Sequence, residues 1–271
     1  MEPDAATPLA SAADNDDVLV ARVGAIVTLT FNRPQARNAM TWGMYQRLYD
    51  TCEEVDADAS IRVLVLKGAG GKAFVAGTDI GQFSEFKSGE DGLRYEREGN
   101  QRMGRIGRVT KPVIAMIEGV AVGGGFGIAA GADVRIATPD SRFGLPMART
   151  LGNCLSMQAY ASFMELLGAS RLKEMMLTAR LLSAQEALGA GFVHELVAAE
   201  AIDARVQELA RTIASHAPIT LRVTKEAIRR IQAARSVPDG DDLIALTYAS
   251  ADFREGVRAF VDKRAPVWTG K

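Results

Sequence analysis

The chain has 271 residues, 48% of them apolar, and 32 Lys and Arg balance 33 Asp and Glu to a net charge of −1. That balance excludes the basic stripe of a nucleic-acid binder and offers nothing to an anionic membrane surface, while the apolar content supplies a large core. Two cysteines, Cys52 and Cys154, lie far apart with no metal spacing and there are two histidines in all, so no metal centre or disulfide framework is expected and a cytoplasmic setting fits.

Residues 1–17, MEPDAATPLASAADNDD, are acidic and Ala-rich, without the basic start and apolar stretch of a signal peptide, and are expected to form a loose arm. No apolar run approaches the roughly 18–20 residues that span a bilayer. VLVARV (18–23) and AIVTLTF (25–31) alternate β-branched residues and predict strands, the second stopped by Asn32-Arg33-Pro34. Thr41 is placed to cap a helix whose Met44, Leu48, Cys52 and Val55 share one face. RVLVLKG (62–68) is a continuous apolar run, as expected of a strand covered on both faces. A Gly-rich loop and FVAG (74–77) follow, then polar helices over about 79–109.

Pro112 introduces VIAMIEG (113–119), another buried strand; then come GVAVGGGFGIAAG (119–131) and the strand ADVRIAT (132–138). GFVHELV (191–197) reads as the last strand. This βαβ rhythm predicts an α/β core over 18–198 with parallel strands and right-handed crossovers. Beyond it, apolar residues space as three amphipathic helices: Ile202 to Ile213, Val223 to Ile231, and Leu243 to Phe260. Residues 199–271 thus form a helical appendix of the kind used to pack against other subunits.

The glycines carry the chemistry. A dinucleotide fingerprint starting at Gly123 and Gly125 needs a glycine where Ile128 stands. A Walker A loop ending at Gly71-Lys72 needs glycine at Leu66 and a hydroxyl at Ala73. With both nucleotide patterns failing, two tight turns remain, GAGGKAFVAGTDI (68–80) and GVAVGGGFGIAAG, each ending a strand and opening a helix. Glycine at 77 and at 123–125 allows left-handed backbone, and the first helical turn leaves N–H groups unpaired at a positive dipole end. Two such amides converging on one oxygen make an oxyanion hole, each donor being worth about 3–4 kcal/mol in the transition state. On spacing alone, the same glycines serve equally well to bring a helix close against a strand.

These two segments, together with NRPQARNAM (32–40) and EGVRAFVDKRAPVW (255–268), resemble the crotonase superfamily, the enoyl-CoA hydratase/isomerase group, in the same order from Val18 to Trp268. The resemblance implies a spiral of ββα units and a C-terminal helical trimerisation region, the assembly being a homotrimer or a hexamer of two trimers. It implies an acyl-CoA thioester as ligand, coenzyme A arriving as part of the substrate and no separate cofactor. The oxyanion amides would be those of Thr78 and Gly124. Backbone around Ala36, Arg37 and Ala39, and around Ala76, Asp79 and Ile80, would line the adenine and pantetheine channel. Gly123 and Pro146 would border the substrate, and Phe260 and Lys263 would meet its nucleotide end.

The departure from the pattern lies in the acids. The group's hydratases use two glutamates, and the matching positions here are Gly127 and Met147. General acid–base groups contribute about 10²–10⁴-fold each, so ordinary hydration should suffer. Substitutes within reach of the thioester are Arg149, Asn153, Cys154 and Ser156, or the helix carboxylates Glu85, Glu90 and Asp91. Asp79 is expected to cap a helix, and His194 and His216 to be structural. Two classes of function stay open: an atypical crotonase reaction (isomerisation, decarboxylation or thioester hydrolysis), or acyl-CoA binding without turnover.

Overall fold

A computed structural model of the protein describes residues 7–8, 16–234 and 237–270, the side chains of Thr7, Pro8 and Glu85 aside. Most of the expected N-terminal arm, and the carboxylate of Glu85, lie outside the described residues. The strands are β1 (Thr7–Pro8), β2 (Val18–Val23), β3 (Ile26–Phe31), β4 (Val63–Gly68), β5 (Ala73–Val75), β6 (Val113–Ile117), β7 (Val120–Val122), β8 (Val134–Ala137), β9 (Arg142–Gly144), β10 (Leu182–Ser183) and β11 (Glu195–Leu196). The helices are α1 (Trp42–Ala57), α2 (Gly89–Arg108), α3 (Gly124–Gly131), α4 (Met147–Thr150), α5 (Met157–Leu167), α6 (Ala169–Thr178), α7 (Ala184–Gly189), α8 (Ile202–Ser215), α9 (Pro218–Ala233), α10 (Asp241–Ala249) and α11 (Ala251–Val261). Short 3₁₀ turns cover Pro34–Ala36 and Ile80–Glu85.

The strands form two sheets, one in the order β1-β2-β3-β4-β6-β8-β11 and one in the order β10-β9-β7-β5. From β3 onward the larger sheet is parallel, whereas β2 and β3 are an antiparallel hairpin turning at Gly24. Successive pairs β4–β5, β6–β7 and β8–β9 each give their first strand to the large sheet and their second to the small one, and a helix follows each pair. The chain therefore winds as repeated ββα units, the crotonase-like spiral.

β4 explains its own unbroken apolar run. Val63 and Val65 pack with Ile202, Val206 and Ala210 of α8, while Leu64 and Leu66 face the core shared with Met44 and Leu48 of α1. Alternate residues go to opposite faces, and both faces are covered. α1 starts where Thr41 accepts a hydrogen bond from Met44 N at 3.2 Å.

Three expectations are corrected. The small sheet replaces a simple βαβ series. His194 precedes the final strand, which is confined to Glu195–Leu196. The third C-terminal helix is two helices, α10 and α11, because Ser250 breaks the first and caps the second through Phe253 N at 2.9 Å. α10 lies over α2 with Tyr248 seated on Gly92, where a Cβ would come within 2.2 Å of the ring. α9 buries none of its residues, and Ile219, Val223, Ile228 and Ile231 face outward.

Candidate active site

The site is built at two corners where the small sheet hands over to a helix. After β5 the chain passes through Gly77 at φ +105° to Thr78 and Asp79. Asp79 opens the following 3₁₀ turn, accepting from Gly81 N at 3.2 Å, and its other oxygen takes a bond from Arg33 Nη1 at 3.1 Å. After β7, Gly123 turns at φ +55° and α3 begins at Gly124. Gly125 lets that helix cross β5, since a Cβ there would lie 2.0 Å from the Val75 carbonyl oxygen.

The corners converge. A Cβ built on Gly124 would stand 3.6 Å from Thr78 N and 3.3 Å from Thr78 Oγ1. Among the described residues neither the Thr78 nor the Gly124 N–H donates to a protein acceptor. The first corner is held from outside by the 32–40 segment. Met40 N donates to Gly77 O at 2.8 Å and Asp79 N donates to Met40 O at 2.9 Å, a parallel bridge that leaves the Thr78 N–H free between them.

Asn38, fully buried at φ +56°, fixes that segment. Its Nδ2 donates to the carbonyls of Ala69 at 3.0 Å and Ala73 at 2.7 Å, and its Oδ1 accepts from Arg33 N at 2.9 Å. Ala76 N reaches Arg37 O at 3.1 Å, so residues 36–40 run beside 76–79. Ala36, Ala39, Ala76 and Ile80 are half-buried along this seam, and Arg37 is exposed.

Beside the corners lies a small cleft lined by Trp42 and Tyr45 of α1 and by Tyr95, Gly99, Arg102 and Met103 of α2. Tyr45 Oη lies 2.9 Å from Thr78 Oγ1, which lies 3.1 Å from Tyr95 Oη, a row of three hydroxyls. The same Tyr45 oxygen would stand only 2.3 Å from a Cβ on Gly124. Burial pushes the Tyr45 phenol up to about 12 and that of Tyr95 well above its ordinary value, so both keep their protons at neutral pH. Arg102, the one cation of this lining, pairs with Glu98 at 3.1 Å.

The two positions matched to glutamates are occupied otherwise. Met103 covers Gly127, where a Cβ would meet Met103 Sδ at 3.2 Å and the Phe163 ring at 3.7 Å. Met147 is buried at the start of α4, with Pro146 as its cap, and Arg149 is exposed with no ion pair among the described residues.

The remaining candidates gather around a carboxylate that sequence reasoning did not single out. Glu96, 8% exposed, accepts from Tyr248 Oη at 2.9 Å and from Ser156 N at 3.0 Å. Ser156 caps α5 and donates to Asn100 Oδ1 at 2.7 Å. Asn153 Nδ2 reaches Tyr248 Oη at 3.3 Å, and its Oδ1 is buried without a partner among the described residues. Desolvation pushes Glu96 up to about 7, with its two hydrogen bonds opposing the shift.

Cys154 Sγ contacts Leu243 O at 3.8 Å, and burial raises its thiol to about 11, so it is a protonated thiol and no ready nucleophile. Asp91 caps α2, held below the ordinary carboxylate range by the Lys87 and Ser88 backbone N–H groups and the Ser88 hydroxyl, and Glu90 is solvent-facing. His194 Nδ1 accepts from Arg135 N at 3.0 Å, and the His216 carbonyl accepts from Arg62. Phe260 and Lys263 are exposed at the end of α11. Of the residues missed, Tyr95, Gly99, Arg102 and Met103 carry the spacing of one helix face, a signal hidden by their mixed chemistry.

Two glycine corners thus bring Gly124 close to the Thr78 amide beside an aromatic cleft, with both N–H groups lacking a protein acceptor among the described residues. The sequence profile of the enoyl-CoA hydratase/isomerase family matches residues 22–271. Short-chain-enoyl-CoA hydratase of Clostridium acetobutylicum is 31% identical over 92% of this chain and 96% of its own length. The 1,2-epoxyphenylacetyl-CoA isomerase of Escherichia coli is 32% identical over 91% and 95%. Among solved structures, methylmalonyl-CoA decarboxylase in complex with 2-nitronate-propionyl-CoA superposes with a TM-score of 0.85 at 28% identity, covering 94% of this chain and 98% of that one. The chain belongs to the enoyl-CoA hydratase/isomerase family. Among the described residues no helix is long and apolar enough to cross a membrane.

Proposed function

We propose that this protein is an enzyme that binds an acyl-CoA and stabilises its thioester oxygen, as an enolate or oxyanion, between the amides of Thr78 and Gly124. The observation that carries this is the convergence of the two corners with both N–H groups uncommitted. Donors fixed on rigid turns strengthen as charge develops and cost no reorganisation, which is the requirement for lowering a barrier rather than merely binding. Relatives named for hydratase, isomerase and decarboxylase activities on CoA esters support the ligand class.

In this proposal the seam of Ala36, Arg37, Ala39, Ala76, Asp79 and Ile80 carries the adenine and pantetheine, Gly123 and Pro146 border the acyl group, and Phe260 and Lys263 meet the nucleotide end. The outward apolar residues of α9 support assembly into trimers or hexamers. The chemistry is one that needs no carboxylate at positions 127 and 147, because methionine packing fills both. Isomerisation, decarboxylation and thioester hydrolysis fit that description better than hydration.

The test is turnover. Purified protein is incubated with crotonyl-, 3-hydroxybutyryl-, malonyl- and methylmalonyl-CoA, and products are followed by mass spectrometry. Product from at least one ester is expected, and Gly124→Pro, which deletes the N–H itself, should abolish it. Binding without any product would make the protein an acyl-CoA carrier; neither binding nor product would remove the proposal.

A further inference from the structure

A thioester whose oxygen sits between Thr78 and Gly124 needs a proton at Cα, and no carboxylate stands at the cleft wall. Cα is bonded to the carbonyl carbon on one side and to the rest of the acyl group on the other. A group alongside it must therefore touch the oxyanion corner and also line the acyl cleft. Tyr45 does both: its hydroxyl is 2.9 Å from Thr78 Oγ1 and lies over Gly124, and its ring forms the cleft wall. We propose that Tyr45 is the catalytic proton donor to Cα of the thioester enolate, recharged through the Thr78 hydroxyl and Tyr95. This rests on the oxyanion assignment above.

The step balances simply. The Tyr45 O–H bond breaks as the Cα–H bond forms; the enolate pair moves onto Cα and the thioester carbonyl is restored. The phenolate then takes a proton from Thr78 Oγ1 as that oxygen takes one from Tyr95, and a proton from water restores Tyr95 before the next turnover. In each pair either oxygen can be the donor, so the row can reverse its sense and pass a proton along. Tyr45 is 4% exposed and Tyr95 is half-buried, and burial raises both phenols, so the row holds its protons until the enolate draws on them. A phenol that holds its proton in the ground state is suited to give it to a carbanion and unsuited to remove one from carbon. The enolate must accordingly arise without removal of a carbon-bound proton, either by loss of CO2 from a 2-carboxyacyl-CoA or by addition to an enoyl-CoA of a water whose proton goes to a separate base. The first needs no further group and is the substrate class favoured here.

The experiment runs methylmalonyl-CoA and crotonyl-CoA in D2O with the wild type, Tyr45→Phe, Tyr95→Phe and Gly124→Pro, reading rate and the position and stereochemistry of deuterium at Cα. The wild type should place one deuterium on a single face. Tyr45→Phe should keep its fold and its affinity for the CoA ester but lose about 100-fold in kcat and deliver deuterium to both faces, since only bulk water remains as donor. Tyr95→Phe should lower kcat with the stereochemistry intact. A Tyr45→Phe variant with wild-type kcat and single-face labelling would overturn Tyr45 while leaving the oxyanion site standing. An inactive wild type, or an active Gly124→Pro, would overturn the site and the proton donor together.

Discussion

The Tyr248 phenol donates to the Glu96 carboxylate at 2.9 Å, tying α10 to α2 across the back of the aromatic cleft, in a place where the carboxylate is 8% exposed. Burial is the main cause of its rise from 4.5 to about 7. The folded protein thus binds this proton more tightly than the unfolded chain does. Its stabilising contribution is complete below the unfolded value and is lost as pH rises through about 7, the reverse of a salt-bridged carboxylate; the span is on the order of 3 kcal/mol. Urea unfolding from pH 5 to 8 should show the wild type losing stability relative to Glu96→Gln. Parallel curves would remove Glu96 as the cause.

A methyl on Gly124 would collide with Tyr45 Oη at 2.3 Å. Gly124→Ala should cost about 1–3 kcal/mol through this overlap, and Tyr45→Phe in the same chain should recover part of it. The pair should couple by more than about 0.5 kcal/mol in a double-mutant unfolding cycle. Strict additivity would mean that the hydroxyl does not sit where described.

Met103 fills the room above Gly127. Glutamates placed at 127 and 147 in an otherwise unchanged chain should therefore strain the packing and gain little. With Met103→Ala added, crotonyl-CoA hydration should rise by about 100-fold or more over Met103→Ala alone, the usual contribution of a placed acid–base group. Failure of the triple variant, if folded, would show that more than the acids separates this site from a hydratase.

Asn38→Ala should destabilise the protein by about 2–4 kcal/mol, since it strands one buried and one part-buried carbonyl and one N–H, and puts alanine at positive φ. Thermal unfolding checks the stability. kcat for whichever CoA ester is turned over should fall with it, because Asn38 holds the segment that aims Thr78.

The sequence discloses those parts of the fold that rest on local patterns. β2, β3, β4 and the Thr41 cap are legible because alternation, an unbroken apolar run and a capping hydroxyl act within a few residues. The small sheet is not, since β5, β7 and β9 are three residues each and too short to show a period. The glycine corners are legible because backbone geometry demands glycine at those points. The hydroxyl row and Glu96 are not: Tyr45 meets Thr78 across 33 positions and Glu96 meets Tyr248 across 152, distances over which only the packed fold brings partners together.

The bridge from Met40 to the Thr78 corner gives one strip of backbone two employers. Whatever presses on residues 36–40 is felt at the Thr78 amide, because Met40 grips the peptide units on both sides of it. In the proposed acyl-CoA complex, a ligand arm seated on residues 36–40 would thereby be geared to the thioester end. Truncated thioesters that keep the acyl group but lack the nucleotide should pay in turnover as much as in affinity, remote grip being converted into aim.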